Sequence, residues 1–301
     1  RAIAAHQSVL VFEVVGKNQV RFGTPKEPSA DQHQILHQLY ETYQGIVPKN
    51  LQEAFHDAQQ AKEEAESLFK FGYLSLRDRA TSEKLFWACC EKISDQTTKL
   101  KRVPEELLSL EQVMAAIYYR NFSVFQSLPD SWAIDQLFPV IPIHRLDEEP
   151  YERATIADLT CDSDGKIEQF IDVEDVKKVL PVHPLIDKPG GGHERYFMGI
   201  FLNGAYQEIL GDLHNLFGDT NAVHVRLDGE GGYEISHFVK GDSINEVLEY
   251  VEYEPSLLVE SIRRQAERAR RQGLITFDQV KMLMKHYEDS LGSYTYLTEA
   301  D

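Results

Sequence analysis

Cysteine, positive charge and long apolar runs are all scarce in this chain, and each scarcity closes off a class of protein. Three cysteines in 301 residues, two of them adjacent as Cys89 and Cys90 in a helical pattern, cannot build a disulfide framework and point to a reducing compartment. Against 49 Asp plus Glu stand only 31 Lys plus Arg, a net charge of -18. That excess repels phosphate backbones, so no nucleic-acid partner is expected, and a small cationic ligand suits the chain better. No apolar stretch approaches the roughly 20 residues that span a bilayer, so no membrane partner is expected either, and the chain reads as soluble. The opening "RAIAAHQSVLVFEVVG" has no initiator Met, no charged n-region and no small-residue cleavage site. It is not a signal peptide and reads as a chain entered midway.

What is present is ordinary globular material, 42% hydrophobic and 10% aromatic, in a distinctive order. "SVLVFEVV" (8–15) is rich in β-branched and aromatic residues and ends at Gly16, which predicts a buried strand. A turn-rich linker follows. From Asp31 to Arg120 the pattern becomes helical in four segments: 31–46, 50–72, 75–101 and 104–120. Apolar residues recur three and four apart, as in Ile35, Leu36, Leu39 and Tyr43, or Leu107, Leu110, Met114 and Ile117, so each helix has one face to bury and the four predict a bundle. Strand patterns then return in "FSVFQS", "LFPVIPIH", "RATIADLTC", "KIEQFI", "RYFMGIFLNG", "AVHVRLDG" and "GGYEISHFVK". "AYQEILGDLHNLFG" (205–218) among them reads as a short amphipathic helix capped by Gly218. From Ser243, whose capping box with Glu246 marks the start, the chain is helical to its end.

The expected fold is therefore α+β. An antiparallel β-sandwich or barrel domain carries an inserted helical bundle and is followed by a C-terminal helical domain. The divisions fall at 1–25 (the end of a preceding barrel and the first strand of the β domain), 26–120 (inserted bundle), 121–242 (β domain) and 243–301 (C-terminal helices).

The segment "DLTCDSDGKIEQF" (158–170) holds the densest chemistry. As a calcium loop it fails, because placing Gly165 sixth leaves Thr160 first and Ile171 twelfth, where acids are required. As a nucleophile, Cys161 lacks any local signature tying it to a histidine. Residue types alone favour a small buried strand thiol, with Asp162 and Asp164 forming the turn. "DKPGGGHERY" (187–196) matches no nucleotide fingerprint and reads as a loop. His193, His214 and His224 lack metal-ligand spacing and read as surface or packing residues, so no metal site is expected. The basic run "RRQAERARRQ" reads as a helix face engaged in intramolecular salt bridges.

Taken together, "NFSVFQSLPDSWAIDQLFPVIP", "TCDSDGKI", "GIFLNGAYQEILGDLHNLFGDTNAV" and "GSYTYL" closely resemble the C-terminal half of the biosynthetic arginine decarboxylases, within the alanine racemase and ornithine decarboxylase fold group. The resemblance runs from first residue to last. It implies a pyridoxal 5'-phosphate enzyme, with magnesium as an optional second cofactor, that turns arginine into agmatine and carbon dioxide in polyamine biosynthesis. It also implies an N-terminal (β/α)8 barrel bearing the cofactor lysine. That barrel is absent from this chain, so an upstream portion of the same enzyme is an expected partner and the chain alone is expected to be inactive. Some plant members of the family are cut between the two portions, which makes a processed chain one option beside a fragment.

By the same resemblance Cys161 delivers a proton to the substrate's α-carbon from the neighbouring subunit of a homodimer, which could pair further into a tetramer. Asp162, with Asp164 sharing the turn, meets the substrate guanidinium. Tyr206 and Arg1 meet the cofactor phosphate. A thiol suits proton delivery because its reference pKa of about 8.5 keeps it mostly protonated near neutral pH. Asp130 and Asp135 lie on a segment the family places near the site, without an assigned role. The expected compartment is the cytoplasm, or a plastid in a plant. Two other readings stand beside this one: a non-catalytic assembly or regulatory module, and a decarboxylase of another basic amino acid or of a carboxynorspermidine-type substrate.

Overall fold

A computed structural model describes residues 5–19, 22–97, 100, 104–173 and 175–298, with backbone alone at 105, 108 and 109. Arg1 lies outside the described residues. No described helix is long and apolar enough to cross a membrane.

The first strand, β1 (Val9–Asn18), opens the main sheet, and the chain then leaves it to build four helices. These are α1 (Gln34–Gly45), α2 (Leu51–Lys70), α3 (Leu76–Thr97) and α4 (Glu105–Met114). His33 starts α1, its ring nitrogen accepting from the Ile35 amide at 3.2 Å. Along α2 the buried positions are Leu51, Ala54, Ala58, Ala61 and Ala65, a stripe at three- and four-residue spacing. Small residues on that stripe let α3 approach closely and insert Leu85, Phe86, Cys89, Cys90 and Ile93. The bundle therefore closes its own apolar core.

The pattern expected to run as helix to Arg120 breaks at Ala115, whose backbone is extended (ψ 147°). Residues Ala116–Arg120 instead form β2, with alternating burial. β-branched and aromatic residues in "AIYYR" favour the pleat, and pairing with β1 supplies the hydrogen bonds. Arg120, read from sequence as a helix end, is fully buried, its guanidinium stacked on the rings of Phe12 and Tyr118.

"FSVFQS" is likewise a helical turn rather than a strand. Ser123 accepts from the Gln126 amide and starts α5 (Val124–Ser127), followed by α6 (Pro129–Ile134), which stops at Asp135 in a left-handed conformation. The remaining strands are β3 (Val140–Pro142), β4 (Glu152–Ala157), β5 (Lys166–Ile167), β6 (Phe170–Ile171), β7 (Val176–Lys177), β8 (Leu180–Val182), β9 (Phe197–Phe201), β10 (Ala222–Leu227) and β11 (Tyr233–Val239).

The main sheet is seven-stranded in the order β3-β9-β1-β2-β4-β5, with β8 also on β4. Its pairs are antiparallel except β2 with β4, which run parallel. So the sheet is mixed, not wholly antiparallel, and the segment between β2 and β4 is a crossover connection. Phe12, Val14, Tyr118, Ile156, Val182, Met198 and Ile200 form its core. Two smaller ribbons, β6-β7 and β10-β11, stand apart from it.

Three helices end the chain: α7 (Ile244–Tyr250), α8 (Pro255–Arg271) and α9 (Phe277–Leu291). The Ser243–Glu246 capping box is present, and Thr276 with Gln279 forms a second. The basic face of α8 pairs within the molecule, Arg264 with Glu260, Arg270 with Glu267, and Arg263 with Glu288 of α9.

Candidate active site

Three loops meet at one end of the sheet, and short hydrogen bonds from buried groups hold them together. Asp158, at the end of β4, is buried and accepts from the Val124 amide at 2.8 Å with one carboxyl oxygen. The other oxygen accepts from the Thr160 amide at 2.8 Å and from its hydroxyl at 2.7 Å. Burial pushes this carboxyl above the usual carboxylate range, and these hydrogen bonds pull part of that rise back. One side chain thus ties the 158–165 turn to the start of α5. Gly165 closes the turn, because a Cβ there would lie 2.3 Å from both an Asp158 carboxyl oxygen and the Thr160 hydroxyl.

The connection from β9 to β10 packs on the other side of α5. Its expected helix is replaced by turns and one 3-10 segment at His214–Leu216, with Leu202, Tyr206, Asn215 and Leu216 all at positive φ. The cause is tertiary. Gly211 presses so closely on α5 that a Cβ would lie 2.5 Å from the Gln126 carbonyl, and the Asp212 amide donates to the Phe125 carbonyl at 3.0 Å. A regular helix cannot follow that course. Gly218, expected as a cap, is instead a point of close approach to Asp242. Gln207 clamps the connection to α6, its amide donating to Asp130 at 2.8 Å while its oxygen accepts from the Asp130 backbone at 3.2 Å.

The C-terminal tail braces the same loops. Tyr296 donates to the Gly218 carbonyl at 2.8 Å, and Asn121 exchanges hydrogen bonds with the Leu297 backbone at 2.7 and 3.0 Å.

These contacts set Cys161 and Asp162 beside His214 and Asn215. The Cys161 thiol lies 3.7 Å from the Asn215 side-chain oxygen, and Asp162 lies 3.3 Å from His214 Nε2. His214 rests against the Phe125 ring, centroids 4.2 Å apart, and Trp132 meets that ring edge-on at 5.1 Å. Cys161 is exposed, which corrects the expectation of a buried strand thiol: β4 ends at Ala157, four residues earlier. Asp162 also accepts from the Asp164 amide at 2.9 Å, leaving the Asp164 side chain exposed. Tyr206 sits on the β9–β10 connection with φ 73°, and the residue is 56% exposed.

Neither His214 nor Asn215 was singled out by sequence spacing. The only signal was their place in "GDLHNLFGDT", a block that carried the resemblance as a whole. His193 bonds the Val14 carbonyl at 2.9 Å, while His224 is exposed and meets His237 edge-on, so one is a packing group and the other a surface group. Among the described residues no cluster of three His, Cys, Asp or Glu side chains could hold a metal ion.

The helical parts carry a family signature of their own. Residues 29–111 match the arginine decarboxylase helical bundle domain, and residues 244–297 match the arginine decarboxylase C-terminal helical extension. A sheet domain carrying both is the arginine decarboxylase class of architecture. The whole arrangement recurs in the crystal structure of the biosynthetic arginine decarboxylase of Campylobacter jejuni, at TM-score 0.78 and 31% identity, over 99% of this chain and 47% of that one. Biosynthetic arginine decarboxylases of Gloeobacter violaceus and Phocaeicola vulgatus are 59% and 45% identical over 99% of this chain. The chain belongs to the biosynthetic arginine decarboxylase family. It spans a little under half the length of these relatives, 46% of each.

Proposed function

We propose that this chain is the half of an arginine decarboxylase that delivers the proton and meets the substrate's cationic end, and that it works only with an upstream half. The observation that carries the reading is the pairing of an exposed thiol with a carboxylate on one tightly held turn, Cys161 next to Asp162. Asp158 and Gly165 fix that turn, so both groups are presented in a defined direction.

Decarboxylation leaves an electron pair on the α-carbon, which pyridoxal phosphate, when bound, draws into its ring. What remains for this chain is to place the substrate and return a proton. Cys161 holds that proton on Sγ and gives it to the α-carbon. Asp162 accepts hydrogen bonds from the guanidinium, whose planar fork matches a carboxylate's two oxygens. His214, beside Asp162, steers that carboxylate. Asp164 adds a second negative charge on the same turn.

Among the described residues one side chain is assigned to the cofactor, and Arg1, the other expected phosphate contact, lies outside them. Tyr206 presents an exposed phenol at a left-handed turn, and a phenol O–H is a competent donor to a phosphate oxygen. Lysine and phosphate loop belong, in this reading, to the upstream barrel. Magnesium finds no cluster of three ligating side chains among the described residues, so its ligands are assigned elsewhere. The product, agmatine, feeds polyamine synthesis in the cytoplasm. In a dimer, Cys161 serves the neighbouring subunit's site.

Replacing Cys161 with Ala in the full-length enzyme tests the assignment. The expected outcome is a kcat about 10²–10⁴-fold lower with the fold retained, the range for loss of a positioned acid. Turnover near the wild-type rate would overturn it.

A further inference from the structure

The β10–β11 ribbon has two unlike faces. Alternation along β10 sends Val223, Val225 and Leu227 to one side. Opposite them in register are Phe238, Ile235 and Tyr233. Simple alternation along β11 would put Phe238 on the other side from Ile235. A bulge between His224 and Val225 gives β11 one extra residue, and that residue brings Phe238 back to the apolar face. The second face carries His224, Arg226, Glu234 and His237.

None of the six apolar side chains is covered: their exposure runs from 50% at Val223 to 85% at Leu227. A two-stranded ribbon with a bare apolar face does not support itself in water. Something must lie on it.

We infer that the apolar face of this ribbon is the docking surface for the upstream portion of the same polypeptide. The relatives are 46% spanned by this chain, so more than half their length lies outside it. Residues 244–297 match a C-terminal helical extension, and the proposed function gives the outside length to an upstream half. Area selects against a second copy held by this face alone. Two strands of about six residues cover ~200 Å², from ~3.3 Å per residue and ~4.8 Å per strand. A stable association between separate chains needs about 800 Å² per partner, whereas a segment of the same chain docks without the entropy cost of bringing two molecules together.

The inference rests on the proposed function only for the existence of an upstream half. Its test reads a surface and not turnover, so either can fail alone.

In the full-length protein, Val225→Cys and, on the polar face, His224→Cys are each exposed to a maleimide, and the label is located by peptide mass. The thiol at 225 is expected to react at least about tenfold more slowly than the one at 224, with protection unchanged on dilution. Equal rates would overturn the inference. Protection that vanishes on dilution would assign the face to a second copy and overturn it as well. If the substitution disturbs the ribbon, hydroxyl-radical footprinting of the unsubstituted full-length protein reads Tyr233 and Phe238 directly. Shielded rings support the inference, and oxidation at the rate of free side chains rejects it.

Discussion

The inserted bundle and the loops at the end of the sheet treat the same side chain in opposite ways. Cys89 and Cys90 sit in the bundle core, and burial pushes each thiol up to about 12. Cys161 stands in solvent on a turn, next to an acid and within reach of a polar side chain. In the bundle the sulfur is packing volume, and what fixes it is the periodic apolar face around it. On the turn it makes almost no packing contribution, and what fixes it is the buried carboxylate of Asp158 in the same turn, anchored to the start of α5. On the proposed function, stability and chemistry are thus separated in space, and they should respond to different substitutions.

Leu85→Ala should break the bundle side of that comparison most strongly. Deleting a fully buried leucine should cost about 2–5 kcal/mol, read as a lower denaturant midpoint, while Cys161→Ala should move the same midpoint by no more than about 0.5 kcal/mol. Gly165→Ala crosses the divide, since its new Cβ meets Asp158 and Thr160. A loss of about 1–3 kcal/mol is expected together with reduced turnover, and an active variant of unchanged stability would show that the turn is not held as described. His214→Ala should act on the site alone. Asp162 loses its steering contact, so KM for arginine should rise about tenfold, equivalent to ~1.4 kcal/mol, with kcat changed less, and His214→Gln should recover part of it.

The two thiol environments give the finest test. Under native conditions a disulfide reagent should modify Cys161 alone, with Cys89 and Cys90 reacting only on unfolding. The sign of the pH dependence follows. A thiol raised from 9.0 to about 12 keeps its proton in the folded bundle. The stability that goes with it is complete below pH 9 and is lost as pH climbs from there toward 12. Bundle unfolding monitored across that range should show the loss, and the double variant Cys89→Ala, Cys90→Ala should flatten it.

The bundle was legible in the sequence because its spacing is its mechanism: residues three and four apart must share a face, whatever they pack on. The same logic failed just beyond it at Ala116–Arg120, where five residues compatible with the helical period were claimed by an open sheet edge. It failed again at 205–218, where the spacing was helical but Gly211 had to press against α5. The acidic turn at 158–165 was visible as a turn, and a cysteine within it was visible as a cysteine. That this thiol faces solvent, and that His214 and Asn215 arrive beside it from fifty residues downstream, depended on contacts with no local signature. The roles proposed for these residues come from resemblance to a family and not from spacing.

The pairing of β1 with β9 also sets a timetable. Val9 lies opposite Phe201 and Leu10 opposite Ile200, so the central strand of the sheet must wait until the bundle, the crossover and the β8–β9 loop have all been synthesised. The bundle, whose contacts are nearly all between sequence neighbours, can assemble while β1 is still unpaired. An apolar edge left open for that long invites the wrong partner. Folding the helices first would shorten the effective distance β1 has to close, which would give the insertion a use in the nascent chain as well as in the finished sheet.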